Sequence, residues 1–254
     1  MLEQNKSTLI KISDLDRQDS KGNTLLHWAA EAGDVDLVQA LIDHKVRVGL
    51  SNFAGETPFS KAASAGHLDV IKVFEKAGYE WRSDRSYQGQ TPLYQAAKNG
   101  HLPVVMYLAN QGAYLDVPSQ TDMPLHVAIK NNHLDVASFL ICEGAMPDYQ
   151  DKKGQTPAAL LVDKLLNDKV PHPRKTMALF RCLSLLMEKG VNVRIGAQEM
   201  MDLKDYYEGA AEKLDTTFVP LGHKKPRLIQ KGHRTQQFQV GLQNVQEWFM
   251  NRED

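Results

Sequence analysis

An eleven-residue phrase recurs along this chain at a nearly fixed interval, and that repetition limits the fold more than any single motif. TLLHWAAEAGD begins at Thr24, TPFSKAASAGH at Thr57, TPLYQAAKNGH at Thr91 and MPLHVAIKNNH at Met123, with a fainter TPAALLV at Thr156. Successive starts lie 33, 34, 32 and 33 residues apart. A unit this short cannot bury an apolar face by itself, so its core must come from stacking on its neighbours.

Each position in the phrase has a physical reason. Thr24, Thr57 and Thr91 can cap the first unpaired N–H groups of a helix, worth about 1 kcal/mol each. Pro58, Pro92, Pro124 and Pro157 follow at the first helical position, where a missing N–H loses nothing. The alanine pairs 29–30, 62–63 and 96–97 allow a neighbouring helix to approach closely, and Gly33, Gly66 and Gly100 end the short helix. A second helix follows with apolar spacing, as in Val70, Ile71, Val73 and Phe74. It closes at Gly78, Gly112, Gly144 and Gly190, with Lys45 standing in the first copy.

This pattern resembles the ankyrin repeat over residues 19–194, and the resemblance implies an all-α solenoid of about five repeats plus a degenerate sixth. Some positions depart from the family's phrase. Its histidine is kept at His27 and His126 but replaced by Ser60 and Tyr94, which questions a continuous hydrogen-bond network along the stack. Met123 replaces the capping threonine, leaving Thr121 or Asp122 as substitutes. In the fifth copy Thr156 and Gly190 are 34 residues apart against 21 elsewhere, an insertion of about 13 near 163–176. NDKVPHPRKT, residues 167–176, reads as its projecting loop.

Residues 1–18 are expected to cap the stack at one end, and 195–214 to form the degenerate terminal repeat at the other. Residues 215–254 read as a basic linker and a C-terminal helix carrying Phe238, Leu242, Val245 and Phe249 at helical spacing.

A net charge of −1 gives no general reason to expect nucleic acid, and no apolar run approaches the roughly 18 residues of a membrane span. The first residues lack a secretory apolar stretch, and Cys142 and Cys182 read as reduced thiols of a cytoplasmic protein. His27, His67, His101, His126 and His133 fall where the ankyrin phrase itself uses histidine, and the other four show no metal-ligand spacing. No phosphate loop, G-x-S-x-G or H-E-x-x-H is present. The chain is therefore read as no enzyme, with no cofactor, metal or small-molecule substrate. Trp28 and Trp81 are expected in the core.

The resemblance implies recognition of a protein or peptide partner on the concave face, built from hairpin tips and the exposed sides of first helices. The residues mapped there are Phe53, Glu56 and Ser64; Tyr87, Gln90, Lys98 and Asn99; Asp122, Lys130 and Asn131; and Lys152 and Gln155. Phe53 and Tyr87 stand out, because an aromatic at an exposed tip serves binding better than folding. Lys98 and Lys130 behind them suggest a partner with an apolar anchor flanked by acidic residues. The degraded ends are also similar to ankyrin effectors that intracellular bacteria deliver into the host cytosol, with a eukaryotic adaptor as the other option. The rival reading places an enzyme, or a nucleic-acid- or membrane-binding activity, in residues 195–254. Nucleic acid and membrane are otherwise disfavoured as partners.

Overall fold

The computed structural model describes residues 15–167 and 173–191. The expected cap over most of 1–18, the terminal half-repeat at 195–214 and the tail at 215–254, with the rival activity placed in 195–254, lie outside the described residues. Among those that are described, the chain forms ten helices in five pairs and no strand. They are α1 (Leu25–Ala32) with α2 (Val35–Asp43), α3 (Pro58–Ala65) with α4 (Leu68–Lys76), and α5 (Pro92–Asn99) with α6 (Leu102–Asn110). Next come α7 (Pro124–Lys130) with α8 (Leu134–Cys142), and α9 (Pro157–Asn167) with α10 (Pro173–Glu188). The chain divides into two compact units, the first running to Val136 and the second from Ala137.

Within the first unit, first helices pack on first helices in sequence: α1 on α3, α3 on α5, α5 on α7. Ala30, Ala62, Ala63, Ala96 and Ala97 are fully buried along these seams. Larger side chains fill the space between the helices of each pair. Phe59 stacks on Trp81 with centroids 5.3 Å apart and meets Phe74 edge-on at 5.9 Å. Burying a side chain of this size contributes about 1.5–3 kcal/mol. Trp81 thus belongs to the core as expected, its indole N–H donating to Glu75 Oε1 at 2.9 Å.

The helix entries follow the threonines. Thr57 Oγ1 accepts from the Ser60 amide at 3.1 Å and Thr91 Oγ1 from the Tyr94 amide at 3.0 Å. In the first copy the Thr24 amide donates to His27 Nδ1 at 3.0 Å, which places the ring proton on Nε2, within 3.1 Å of the Glu56 carbonyl. Burial lowers the pKa of this imidazole and keeps it neutral. α7 departs from the scheme: no side chain caps it, because Asp122 and Thr121 are engaged elsewhere.

The exits are equally regular. Gly66 ends α3 at φ 85°, and a Cβ there would lie 2.5 Å from Nδ1 of His101. Glycine at this position therefore meets two demands, left-handed backbone and room for the next repeat's imidazole. That imidazole reaches back to the Ser64 carbonyl at 2.9 Å, as His67 does to Glu31 at 3.0 Å. Lys45 takes the left-handed turn at φ 64° without being glycine.

In the second unit the fifth pair corrects the expected loop. α9 and α10 span 11 and 16 residues, against 8 and 9 for α3 and α4. Helix takes up most of the insertion, and Pro173 starts α10 at the position where proline is best tolerated. Residues 168–172, between the two helices, lie outside those described.

Candidate partner-binding ridge

The turns that precede the first helices share one construction. Each opens with a small polar side chain that accepts two backbone N–H groups from its own turn. Asp19 Oδ1 takes Lys21 and Asn23 at 2.8 and 2.9 Å, and Asn52 Oδ1 takes Ala54 and Glu56 at 2.9 Å each. Ser86 Oγ takes Gln88 and Gln90, and Ser119 Oγ takes Thr121 and Asp122, all at 3.2 Å. In the second unit Asp151 Oδ1 does the same for Lys153 and Gln155 at 2.8 and 2.9 Å. These residues organise the tips, and sequence reasoning passed over them. The signal was an Asp, Asn or Ser three residues before a glycine at Gly22, Gly55, Gly89 and Gly154.

Adjacent tips of the first unit are then tied by backbone bonds. The Phe53 amide donates to the Lys21 carbonyl at 3.0 Å, Tyr87 to Ala54 at 2.9 Å and Gln120 to Gln88 at 2.9 Å. This ladder fixes the backbone and turns the aromatic side chains outward. Phe53 is 65% exposed and Tyr87 is 72% exposed. Their rings lie close against the preceding tip, at Gly22 and Gly55, where a Cβ would come within 2.7 and 2.9 Å of ring carbon Cδ1.

Trp28 corrects an expectation. It is 47% exposed rather than in the core, with its indole N–H donating to Asp19 Oδ2 at 3.1 Å. It sits one residue beyond the buried His27, at the position that Lys61 and Gln95 take in the next two copies. Lys61 Nζ lies 3.0 Å from Glu56 and 3.6 Å from Glu31. Burial works to raise the Glu56 carboxyl, but bonds from Asn52 and Lys61, with the lysine's charge, outweigh it and hold it below its ordinary value. The structure thus links Glu31, Glu56, Lys61 and Gln95 across the first three repeats, with Trp28 against Asp19 of the first tip.

The remaining expected site residues divide by what they do inside the fold. Asn99 donates to the Ser64 carbonyl at 2.7 Å and to its hydroxyl at 2.9 Å, and Asn131 to the Lys98 carbonyl at 2.6 Å. Both asparagines are exposed while linking repeats. Lys98 is exposed, and Gln90 is half-buried with its amide on Gln88 Oε1 at 2.9 Å. Asp122 is buried, accepting from the Tyr94 hydroxyl at 2.6 Å and from Lys130 Nζ at 2.8 Å. Its carboxylate is committed to the fold, and Lys130 carries a matched charge. In the second unit Lys152 is exposed and Gln155 half-buried.

The family description "Ankyrin repeats (3 copies)" matches residues 4–81 and 73–153. The chain is 34% identical over 68 residues to human Protein fem-1 homolog A, covering 26% of this chain and 10% of that one. It is 36% identical over 64 residues to the 26S proteasome non-ATPase regulatory subunit 10 of Dictyostelium discoideum, covering 25% and 28%. An ankyrin repeat protein of Rickettsia bellii is 33% identical over 69 residues, covering 26% and 38%. The chain thus spans well under two thirds of the length of each of these relatives. No helix among the described residues is long and apolar enough to cross a membrane.

Proposed function

The chain belongs to the ankyrin repeat family, and on that premise we propose that it is a non-catalytic module gripping a protein or peptide partner along its tips and first-helix faces. Ankyrin repeats generally mediate protein–protein interaction and are generally non-catalytic. The observation that carries the reading here is the pair of exposed rings, Phe53 and Tyr87, on tips whose backbones are laddered together. Rigid aromatics on a fixed backbone lose little entropy on binding and are favoured as interface anchors.

Glu56, Ser64, Gln90, Lys98, Asn99 and Asn131 complete the proposed surface of the first unit. Asp122 is left out because burial and its bond to Lys130 close it to a partner. Lys152 and Gln155 are proposed as contacts within the second unit. Two cysteines make no disulfide framework, and we place the chain in a reducing compartment such as the cytosol on that ground. A host-directed bacterial role is the narrower form of the reading, supported by the Rickettsia similarity, whereas the human similarity supports a eukaryotic adaptor.

The test is a double substitution, Phe53→Ala with Tyr87→Ala, against a binder captured by the full chain. Binding should weaken by about 2 kcal/mol, roughly 30-fold, while the thermal melt stays in place. Undiminished binding would remove the tips from the site.

A further inference from the structure

Three observations meet along the first three repeats. Two carboxylates with one cation between them lie beside the aromatic tips: side chains of Glu31 and Glu56 are 44% and 22% exposed and share Lys61, itself 19% exposed. Exposed Lys21 lies on the first tip and exposed Arg85 just before the third, while Asp19 adds a carboxylate to the first turn, where it accepts from the Lys21 amide. Second, the floor contains an acceptor without a donor. Gln95 is 3% exposed, and its amide nitrogen reaches Glu56 Oε1 at 3.3 Å while its own Oε1 has no hydrogen-bond partner. A buried acceptor left bare is the costly half of a hydrogen bond, and native structures rarely leave one unanswered. Third, Trp28, Phe53 and Tyr87 expose their rings on this stretch.

Carboxylates, a bare amide oxygen and aromatic faces together ask for one chemical group. It must be positively charged, carry several N–H donors and tolerate stacking, which describes a guanidinium better than an ammonium. We propose that the partner segment presents an arginine flanked by apolar residues, its guanidinium seated against Glu31, Glu56 and the carbonyl of Gln95, with the flanking residues on Phe53 and Tyr87. This rests on the tips being the binding edge. It differs from the acid-flanked partner expected from Lys98 and Lys130: Asp122 matches the charge of Lys130 at 2.8 Å, while Lys98 stays exposed. The carboxylates of Glu31 and Glu56 disfavour a phosphate group at this spot, so the occupant is a protein segment.

The experiment is selection of a phage-displayed random peptide library on the full chain, with the Phe53→Ala/Tyr87→Ala variant as counter-selection. Enriched peptides should carry arginine beside leucine, isoleucine or phenylalanine. A synthetic winner should bind Glu31→Gln/Glu56→Gln about 10-fold more weakly, and lose a similar factor when its arginine becomes alanine. Asp69→Asn on α4, where the carboxylate faces Lys72, should change nothing. Circular dichroism melts establish that the variants are folded. Acidic winners, or winners indifferent to the two glutamates, overturn the arginine assignment while leaving the tip reading intact if they still need Phe53 and Tyr87. Winners indifferent to the tips, or no enrichment over the tip variant, overturn both.

Discussion

Asp84 and Asp122 each tie one repeat to the next, and they do it with opposite electrostatics. Asp84, 8% exposed, accepts from Thr57 Oγ1 at 2.6 Å and from the Tyr79 hydroxyl at 2.9 Å. Burial pushes its carboxyl above the ordinary value, and two neutral hydroxyls do not bring it back. The nearby Arg85 guanidinium is turned onto the carbonyls of Arg82 and Asp84 at 3.2 and 2.8 Å. Asp122 is as buried, and burial again works upward, yet Lys130 and the Tyr94 hydroxyl outweigh it and hold the carboxyl below its ordinary value. The phenols respond alike: burial, then the adjacent carboxylate, pushes Tyr94 up to about 12 and Tyr79 above the usual range. At similar burial, a touching cation decides which way a carboxylate moves. Neither junction uses the family's histidine, so the inter-repeat link survives its loss at Ser60 and Tyr94 through different chemistry.

The contrast can be broken most sharply at Lys130. Lys130→Ala strands the Asp122 carboxylate, and chemical denaturation at pH 7 should show a loss of about 2 kcal/mol, tempered by the lysine's partial exposure. Tyr94→Phe removes one donor and leaves the cation, so the same measurement should give a loss of about 1 kcal/mol. Asp84→Asn should move stability the other way, by about +0.5 kcal/mol at pH 7, since it removes a carboxyl whose charged form burial disfavours.

Acidification sharpens the last two. The folded-state value of Asp122 is depressed, so its contribution is present above the ordinary 3.8 and is lost as pH falls through the depressed value. Asp84 is the reverse: its contribution is full below 3.8 and is lost as pH rises through the raised value. The gain from Asp84→Asn should therefore vanish as melts are taken down toward pH 3.8. A gain that persists in acid would mean that it does not come from ionisation of Asp84, whereas a loss at pH 7 that fades in acid would mean that the two junctions are electrostatically alike.

Much of this arrangement can be read from residues in order, because a helical repeat is local. Thr57, Pro58, Ala62, Ala63 and Gly66 act within ten residues of one another, and their caps, seams and exits fall where the phrase puts them. What resists reading is set by neighbours 27 or 28 residues away. Thr57 to Asp84 and Tyr94 to Asp122 are such pairs, and no spacing rule announces them. Trp28 misleads because a large indole usually packs, but here it stands one step around α1 from His27 and faces the tips. Pro173 misleads as well: proline reads as a loop signal, and it also opens a helix, which is its role in α10. The tip aromatics were legible as exposed, while the acidic surroundings that define what they would hold appear only once Glu31, Glu56 and Lys61 are in contact.

The backbone ladder along the tips has a consequence for variation. Phe53, Tyr87 and Gln120 each give the fold an amide N–H that neighbouring tips require, and Phe53 and Tyr87 direct their side chains to solvent. The architecture thus asks of these two positions only that they not be proline, which has no N–H to give. Any other residue can be exchanged at 53 or 87 at little expense to folding, so successive tips behave as interchangeable type in a fixed frame. Partner choice can then drift by single substitutions while the scaffold that presents them stays the same.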